Sequence, residues 1–561
     1  MLQQTGSNHY DTIIIGSGAA GLSAAICLSR AGQKVLVLEQ HYVPGGWCHS
    51  FYLNGHRFSP GVHYIGRMDE GDSTSSLYEG LGIANDLVFF RMNPKGYEHC
   101  WIGKERIDLP AGFEELCESL AQRFPHERKG LKKYLTLVKN VADEVQLIPK
   151  MHGFWDNVTI AYRTRHMGKY GLFSLKRVID WHIKDPLLKA VLNVQCGDHG
   201  LPPSKASFPI HCVVMSHYFH GGFYPMGGGA GIVKAMTKAI RKYNGEIRTG
   251  TGVKRILIEG DKKKKAVGVE LENGEVIKAS RVVSNADPSK TFAMVGKANL
   301  SKKLQKKLSG TKYSATALFL FLTVDMDVRQ AGIDSGNIWY LQHDDLEKLY
   351  RDMTFDDLMV GDEFPGCFIS CPTLKDPVSF DGYHHTIEVV TFIEYKTFSE
   401  FATEADYHSD KYLKHKERIR EKLLNNVEKV LPGVRKHIVQ AELGTPMTSE
   451  FYINGTEGNV YGTEKNFKQT VMFPFNTKTE IENLYLCGAS VLAHGVGGAS
   501  NSGVQTAAKI LNCKAEGLIE PIEGQHVRIY DSENSSQWPQ WIHDKREAKK
   551  RRFKEITTNE V

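Results

Sequence analysis

The chain has 561 residues, of which 41% are hydrophobic, and a formal charge of +6 from 70 basic and 64 acidic side chains. A chain of this length and apolar content can bury a large core, which excludes a disordered tail or a small disulfide-stapled module. Because a single core stops growing near roughly 250 to 300 residues, about two domains are expected. Since acidic and basic residues interleave, nucleic acid is not an expected partner.

Targeting signals are not evident in the sequence. No run of about 18 or more apolar residues occurs, so no transmembrane helix is predicted. MLQQTGSNH (1–9) is polar and leads directly into a strand, without the apolar core of a signal peptide. The ten cysteines are scattered without CxxC pairs, which is typical of reduced side chains. A cytoplasmic chain is therefore expected.

The first predicted elements form a βαβ unit. In chain order they are the strand YDTIII (10–15), the turn GSGAAG (16–21), the helix LSAAICLSRAG (22–32) and the strand KVLVLE (34–39). The strands are short and β-branched, and the helix contains small and apolar residues. The turn has the GxGxxG spacing of dinucleotide-binding proteins.

Each glycine of this turn has a physical role. Gly16 permits a tight turn, Gly18 lets the backbone approach a pyrophosphate, and Gly21 lets the helix pack on the strand. Glu39 ends the second strand, where a carboxylate accepts hydrogen bonds from a ribose diol. The predicted dinucleotide-binding residues here are Gly16, Gly18, Ala19, Ala20, Gly21, Glu39 and Gln40.

A second glycine pair decides between the dinucleotides. Gly45 and Gly46 lie in HYVPGGWCHSF (41–51), directly after the ribose-binding acid, and GHRFSPGVHYIG (55–66) follows. A glycine pair in this place is typical of flavoproteins whose adenine dinucleotide is FAD. The sequence therefore favours FAD over NAD.

Residues 110–210 change to helical spacing, with aromatic residues among basic ones. Two interpretations stay open. The helices are either ordinary amphipathic helices on a core, or one or two of them form a membrane-facing mouth. The side chains that favour the second interpretation are Trp155, Tyr162, Phe173 and Trp181, among Lys169, Lys176, Arg177 and Lys184.

Residues 244–286 alternate short strands and turns, and ENGE (272–275) predicts a hairpin. MGGGAGIVKAM (226–236) offers a glycine turn and a helix, but it follows YP rather than a predicted strand. No second nucleotide domain is expected, so NAD(P)H is expected only as a transient electron donor.

The C-terminal part begins with ENLYLCGAS (482–490), a strand that ends at Gly488, followed by GVGGASNSGVQTAAKIL (495–511), a glycine-led turn into a helix. The last segment, 537–556, holds seven basic residues with Trp538, Trp541 and Phe553. It is either an interfacial segment that faces anionic lipid or a solvated, partly disordered tail.

Several segments resemble the phytoene desaturase and carotenoid isomerase superfamily, and within it the all-trans-retinol 13,14-reductase (retinol saturase) branch. They occur in the same order along most of the chain. They are the GGWCHSF and HYIG stretches in 45–66, GDHGLPPSKASF (197–208), HGGFYPMGG (220–228), RVVSNADPSKTF (281–292), FISCPTLKDP (368–377) and NLYLCGASV (483–491).

The resemblance implies an α/β fold, in which a Rossmann-type FAD-binding domain of the GDI-like or amine-oxidase-like kind carries an inserted, mixed α+β substrate domain. It implies an FAD-binding domain from residues 8–100, 220–310 and 470–515, a substrate domain from 101–219 and 311–469, and a basic, aromatic tail at 516–561. Val253 would lie near the adenine. Gly488, Val496 and Gly497 would approach the pyrophosphate and the flavin ring, with the helix N-terminus at the ring's pyrimidine edge.

The implied function is reduction of a carbon-carbon double bond in a hydrophobic polyene, a retinoid or a carotenoid. Desaturation and cis-trans isomerisation at the same FAD site stay open, as do amine oxidation and a non-catalytic isoprenoid-binding role. Saturation needs a proton as well as a hydride, and the candidate acids are His63, Tyr64 and His494. A peripheral membrane surface is an expected partner, no metal centre is expected, and the sequence leaves the oligomeric state open.

Overall fold

The computed structural model describes residues 9–148, 151, 154–353, 360–402 and 409–559. The expectation drawn from the first residues rests mainly on 1–8, which lie outside this range. The side chain of Trp155 also lies outside the described part of the chain.

The strands, in chain order, are β1 (His9–Ile15), β2 (Val35–Leu38), β3 (Phe51–Leu53), β4 (His56–Phe58), β5 (Val88–Arg91), β6 (Glu98–Ile102), β7 (Glu105–Leu109), β8 (Phe223–Pro225), β9 (Glu246–Arg248), β10 (Val253–Glu259), β11 (Lys265–Leu271), β12 (Val276–Ser284), β13 (Thr316–Val324), β14 (Asn337–Leu341), β15 (Gly366–Ser370), β16 (His385–Ile393), β17 (Ile438–Gly444), β18 (Leu484–Leu486) and β19 (Arg528–Asp531).

The α-helices are α1 (Ala19–Arg30), α2 (Ser73–Leu81), α3 (Phe113–Arg123), α4 (Arg128–Leu147), α5 (Phe154–Arg163), α6 (Arg165–Tyr170), α7 (Leu175–His182), α8 (Pro186–Asn193), α9 (Phe208–His217), α10 (Gly229–Lys242), α11 (Pro288–Val295), α12 (Lys302–Ser309), α13 (Leu346–Asp352), α14 (Pro372–Lys375), α15 (Asp410–Val430), α16 (Pro446–Ile453), α17 (Gly495–Leu511), α18 (Ala515–Leu518) and α19 (Gln540–Asn559).

The first sheet has the order β10-β11-β12-β1-β2-β9, and β18 also pairs with β12. β12, β1, β2 and β9 are parallel neighbours, and β18 runs parallel to the C-terminal end of β12. All four residues of β2 are buried, as expected for a parallel strand covered on both faces. Because parallel strands end at the same edge, the residues that follow β1, β12 and β18 meet there.

This sheet takes its strands from 9–38, 246–284 and 484–486. These ranges fall within the three segments expected to build the FAD-binding domain. The hairpin predicted at ENGE is confirmed, since β11 and β12 pair antiparallel across it.

The second sheet has the order β17-β13-β16-β15-β14-β6-β7. All nine residues of β13 are buried, so this strand is covered on both faces. β6 begins at Glu98 and pairs with Asn337 of β14. The expected domain boundary between residues 100 and 101 therefore cuts a strand, and the pairing moves it to a point before Glu98.

The third sheet corrects two expectations. β5 pairs with β8 on one side and with β19 on the other. A strand, Phe223–Pro225, therefore does precede the glycine turn at 226–229, although it is antiparallel to its neighbour and is not part of a βαβ unit. β19 belongs to the expected tail, so residues 528–531 are part of a sheet.

The C-terminal segment is folded onto the body of the protein. Trp538 is only 7% exposed, and its indole N–H donates to the Asp531 carbonyl oxygen at 2.6 Å. Its ring lies 6.0 Å from that of Phe90, and Ile542 completes the cluster. This burial argues against both sequence-based interpretations for Trp538, because the indole faces protein rather than lipid or water.

The helices α3, α4, α7, α8 and α9 bury their apolar faces in one core with part of the second sheet. Large side chains remain in solvent on α5, on α7 and in the loop between α6 and α7, with Tyr162 73%, Leu172 71% and Trp181 48% exposed. Phe173 is half-buried against the core. Within the described residues, no helix is both long enough and apolar enough to cross a bilayer.

We predict that Trp538→Ala lowers the free energy of unfolding by roughly 3 to 5 kcal/mol, because it leaves a cavity in a packed cluster. Denaturant unfolding followed by circular dichroism measures the change. Trp181→Ala is the matched control, since the Trp181 ring is half-exposed, and it should change the stability much less. Equal effects of the two substitutions would contradict the docked segment.

Candidate active site

The turn between β1 and α1 is shaped for close approach by a ligand. Gly16 has a φ of +88°, and a Cβ on Gly18 would lie 2.6 Å from Nδ2 of Asn285. A Cβ on Gly21 would lie 2.2 Å from the Gly16 carbonyl oxygen. Since no side chain caps α1, its first N–H groups are left for a ligand at the turn.

The Glu39 carboxylate lies at the end of β2 and is fixed from two sides. Oε2 accepts hydrogen bonds from the Ser17 N–H at 2.9 Å and the Ser17 hydroxyl at 2.6 Å, and Oε1 accepts one from the His41 N–H at 2.9 Å. A carboxylate oxygen has about two lone-pair sites, so Oε1 keeps one for a ribose hydroxyl.

The second glycine pair packs directly on the first turn. Gly45 and Gly46 have φ values of +128° and +53°, and a Cβ on Gly46 would lie 3.3 Å from the Cα of Gly18. The Gly45 N–H donates to the Ser17 hydroxyl oxygen at 2.9 Å. The two turns therefore form one backbone surface.

The C-terminal glycines complete this surface from the other side. Gly488 follows β18 with a φ of +104°, and a Cβ there would lie 2.7 Å from Oδ1 of Asn285. α17 begins after His494 without a side-chain cap. A Cβ on Gly503 would lie 2.0 Å from the Ala20 carbonyl oxygen, so α17 and α1 are in backbone contact and their N-termini border the same space.

That space is a cavity of about 940 Å³, near the upper end of the roughly 300 to 1,000 Å³ typical of small-molecule sites. Its wall includes His63, Tyr64, His494, Gly16, Gly18, Ala19, Ala20, Glu39, Gln40, Gly45, Gly46, Val253, Gly488, Val496 and Gly497. Of the predicted site residues, Gly21 is not part of the wall. It is buried behind the turn, where its lack of a side chain permits packing.

Asn285 is a further wall residue of this cavity. Its N–H donates to the Ile15 carbonyl oxygen at 2.8 Å, which fixes the junction. Its side chain lies between Gly18 and Gly488. These residues together fit an elongated dinucleotide: two uncapped helix N-termini for phosphate charge, a carboxylate for ribose, and backbone surfaces that a side chain would fill.

The other end of the cavity is aromatic and apolar. Its wall includes Trp339, Phe368, Phe319, Phe392 and Tyr218. Helices α4 and α9 contribute Val145, Ile210, Val213 and Val214. The cavity thus extends from the glycine turns into the helical layer, which is formed by α3, α4, α7, α8 and α9.

His63 faces this end and is held by a buried acid. Its Nδ1 lies 3.0 Å from Oε2 of Glu388, whose Oε1 accepts from the Ser59 N–H at 2.6 Å. The Lys375 amine donates to the His63 carbonyl oxygen at 2.8 Å. Burial lowers the pKa of Lys375 to about 7, so this amine is a hydrogen-bond donor to the backbone rather than a permanent charge.

The Tyr64 hydroxyl contacts two carboxyl groups. The oxygen lies 2.5 Å from Oε1 of Glu98 and 2.9 Å from Oδ2 of Asp198. Its ring stacks on that of Tyr218, with centroids 4.1 Å apart. Burial and the two acids raise the pKa of Tyr64 well above its ordinary value, so this phenol is neutral.

His494 is the third predicted acid. Burial and the nearby Lys465 amine lower its pKa to about 3. Its Nδ1 is buried and has no hydrogen-bond partner among the described residues, and its ring lies 4.8 Å from that of Tyr461. Near pH 7 this imidazole is neutral and offers a hydrogen-bonding atom rather than a proton.

Cys196, His199 and His211 form a fully buried cluster whose ligand atoms lie within 4.8 Å of one another. His199 Nε2 and His211 Nδ1 are 3.3 Å apart, and His211 Nε2 is 3.2 Å from the Leu192 carbonyl oxygen. The two histidines and the Leu192 carbonyl thus form one chain of hydrogen bonds. Burial lowers the pKa of His211 to about 4, which keeps it neutral.

Sequence reasoning missed Glu98 and Asp198. A signal existed for each. Glu98 opens a strand, EHCWI, whose other residues are mostly apolar, and Asp198 lies in the GDHG stretch, which resembles a segment of the retinol saturase branch. Nothing in the sequence places these two carboxyl groups beside Tyr64, because 34 and 134 residues separate them from it.

Comparisons with known proteins identify the family and the relatives of this chain. The family described as flavin containing amine oxidoreductase matches residues 19–317. All-trans-retinol 13,14-reductase of Danio rerio is 28% identical over 526 residues, which cover 90% of this chain and 86% of that protein. Chloroplastic prolycopene isomerase of Daucus carota is 27% identical and covers 90% of this chain and 80% of that protein. The predicted resemblance is confirmed.

Among solved structures, a triple mutant of putrescine oxidase with redesigned cofactor binding has a TM-score of 0.60 at 16% identity, and covers 90% of this chain and 99% of that chain. At this identity the similarity concerns the fold alone. The predicted fold class is confirmed.

We predict that Gly18→Val lowers flavin affinity roughly 10-fold or more, equivalent to about 1.4 kcal/mol, because the side chain would collide with Asn285. Flavin absorbance per mole of purified protein measures it. Gly168→Val is the matched control, since a Cβ at Gly168 meets nothing within 4 Å. Wild-type flavin content in Gly18→Val would show that the turn does not hold the cofactor.

Proposed function

This chain belongs to the family of flavin-containing amine oxidoreductases, and from that membership we propose that it binds FAD and reduces a carbon-carbon double bond of a hydrophobic polyene, a retinoid or a carotenoid. One observation carries the proposal: the dinucleotide-binding turns and an aromatic, apolar end are parts of the same cavity wall. The relatives named for retinol reduction and prolycopene isomerisation support it, because they align with about nine tenths of the chain.

The chain's own residues divide the work of holding FAD. The turns at Gly16 to Gly18 and Gly45 to Gly46 and the N-termini of α1 and α17 would receive the phosphates and the ring, and Glu39 the ribose. Val253 would lie at the adenine end. Bound flavin supplies hydride transfer at its N5 position.

The substrate end excludes water and binds by apolar contact. Trp339, Phe368 and Phe392 from the second sheet line this cavity together with Val213 and Val214 from α9. A polyene that buries roughly 500 Å² would gain roughly 12 kcal/mol relative to water, at about 25 cal/mol per Å². It would gain much less relative to a bilayer, so a membrane is the natural source of such a substrate.

A second reaction is served by the same cavity. Cis-trans isomerisation of a carotenoid is favoured by the similarity to prolycopene isomerase, which nearly equals that to the retinol reductase in identity and in the share of this chain covered. Desaturation would use the same residues in the reverse direction. In each case NAD(P)H would act at most as a transient electron donor.

We predict that the FAD-loaded protein, reduced without oxygen and incubated with retinoids and carotenoids, releases a product heavier by two hydrogens. Mass spectrometry of the extracted product measures the gain. Unchanged mass with a shifted retention time would select isomerisation, and a loss of two hydrogens with oxidised FAD would select desaturation. If neither the reduced nor the oxidised protein changes any of the retinoids and carotenoids, while the protein oxidises an amine and releases peroxide, amine oxidation would replace the polyene proposal.

We further propose that the outer face of α5 to α7 contacts a membrane. The surface is defined by Tyr162, Leu172, Trp181, Lys169 and Arg177. The first three are about half or more exposed, and the two basic side chains are exposed beside them. The Arg177 guanidinium lies 5.6 Å from the Trp181 ring centroid. An amphipathic surface of this kind suits an anionic lipid interface.

This surface lies close to the cavity. α6 contacts both α4 and α9, and those two helices supply cavity-wall residues. A polyene that leaves the bilayer here would enter the apolar end of the cavity through the helical layer.

We predict that the double variant Leu172→Asp, Trp181→Asp reduces binding to phosphatidylcholine vesicles containing phosphatidylglycerol roughly 10-fold or more. The reason is that charged side chains replace apolar side chains that would insert into the lipid. Vesicle sedimentation measures the bound fraction. Val439→Asp is the control, since Val439 is 54% exposed on β17. Equal binding of wild type and double variant would contradict the surface, and binding should also weaken at high salt.

A further inference from the structure

The contacts of Tyr64 fix the number of protons in its surroundings. Its hydroxyl oxygen lies within hydrogen-bond distance of both Glu98 and Asp198, at 2.5 and 2.9 Å. Tyr64 has a single hydroxyl hydrogen and donates to only one of them. The other contact needs a hydrogen that the carboxyl group supplies. One of the two carboxyl groups is therefore a neutral acid.

The remaining contacts decide which one it is. The Trp339 indole N–H donates to Oε1 of Glu98 at 3.1 Å, and the Gln195 amide donates to Oε2 at 3.2 Å. Together with Tyr64, three donors converge on Glu98, and a carboxylate needs such donors more than an acid does. Tyr64 is the only side-chain partner found for the Asp198 carboxyl group among the described residues.

The electrostatics point the same way. Burial, followed by the charge of Glu98, raises the pKa of Asp198 well above its ordinary value. Burial also raises the pKa of Glu98, but its hydrogen bonds from Tyr64, Trp339 and Gln195 offset part of the rise. Two carboxyl groups this close do not both ionise in a dry site. Glu98 keeps the negative charge and Asp198 keeps the proton.

Apart from Glu98, the titratable groups in electrostatic contact with Asp198 carry no charge near pH 7. Five tyrosines with raised pKa values surround it: Tyr64, Tyr97, Tyr218, Tyr350 and Tyr461. Burial also raises the pKa of the Cys196 thiol, and the His494 imidazole is neutral. Among the residues that the structure describes, none of these groups is a cation that would stabilise a second anion. The cation His99, whose hydrogen bonds to Asp108 and Asp334 outweigh burial and raise its pKa to about 9, lies beside Glu98.

The backbone presents Asp198 to the cavity. It lies in the 3-10 segment Val194–His199, next to Gly197, where a Cβ would lie 2.2 Å from the Trp339 ring. Only glycine lets this segment lie so close to the indole. The Tyr461 hydroxyl donates to the Gly197 carbonyl oxygen at 2.9 Å. Asp198 lines the cavity, whereas Glu98 is fully buried behind it.

We infer that Asp198 is the general acid of the double-bond reduction proposed above, with Tyr64 and Glu98 as positioning residues that keep it protonated. The inference rests on that proposed function. One carbon receives a hydride from the reduced flavin. The O–H bond of Asp198 breaks as its proton forms a C–H bond at the neighbouring carbon. The sum is one hydride, one proton and one saturated bond, and the carboxylate of Asp198 regains a proton from solvent.

Asp198→Asn tests this directly, because the amide retains the shape and a hydrogen for Tyr64 but has no acidic proton. The variant should keep the wild-type flavin absorption and be reduced by dithionite at the wild-type rate. Reoxidation of the reduced flavin by the polyene, followed by stopped flow, should slow by roughly 100-fold or more. A wild-type rate of flavin reoxidation in Asp198→Asn would overturn the assignment. Slow reoxidation in His63→Gln but not in Asp198→Asn would also overturn it.

The pH dependence has a definite sign. The protonated form of Asp198 is the active one, so the rate of polyene reduction is full below its raised pKa and falls as pH rises through it. In Tyr64→Phe the acid loses its acceptor, so this falling limb should shift to lower pH. Tyr134→Phe is the matched control, because the buried Tyr134 hydroxyl has no partner among the described residues, and it should leave the profile unchanged. An unshifted profile in Tyr64→Phe would remove Tyr64 from its positioning role.

An infrared measurement separates this inference from the proposed function. At neutral pH the wild-type protein should show the carbonyl stretch of a buried carboxylic acid, sensitive to D2O, and Asp198→Asn should lack it. Persistence of the band in Asp198→Asn with its loss in Glu98→Gln would place the proton on Glu98 and overturn the inference. If wild-type enzyme reduces no polyene, the proposed function fails and the general-acid assignment fails with it, while this band still decides where the proton lies.

Discussion

Parallel pairing of β12 with both β1 and β18 brings three distant parts of the chain to one edge of the first sheet. The turns that follow these strands contain Gly16, Asn285 and Gly488, and they touch one another through positions where a Cβ would collide. Because parallel strands end at the same edge, the N-termini of α1 and α17 border one cavity. Two uncapped helix N-termini then create a positive surface that only an anionic, elongated ligand complements.

The second sheet and the helical layer work under a different constraint, which is the free energy of burying charge. Glu98, Glu388 and Lys375 are almost fully buried around the apolar end of the cavity, and each is compensated by hydrogen bonds or by a change in protonation. The same burial that makes this end suitable for a polyene also keeps a carboxylic acid neutral. Apolar binding and acid chemistry therefore share one physical cause.

The two ends of the cavity also explain why related reactions occur on one scaffold. In the proposed function the glycine turns would bind the cofactor through backbone contacts, which do not depend on the direction of electron flow. The choice between reducing, forming and isomerising a double bond would then fall to the few polar groups at the apolar end, among them His63, Tyr64 and Asp198. These groups come from elements that lie far apart in the chain, so small changes there need not disturb the flavin site.

The sequence by itself indicated the glycine turn at Gly16, the acid Glu39 and the second glycine pair, because each depends on local backbone conformation and close spacing. It indicated the family through the resemblance of several segments that occur in order along the chain. It also indicated His63 and Tyr64 through a contiguous segment. Tertiary structure alone decided that β19 joins a sheet, that Trp538 packs on Phe90, that Phe223–Pro225 is a strand, and that Glu98 and Asp198 meet at Tyr64. The physical reason is that pairing across the sheets and the desolvation of a carboxyl group depend on which distant segments fold together, and no local pattern encodes that.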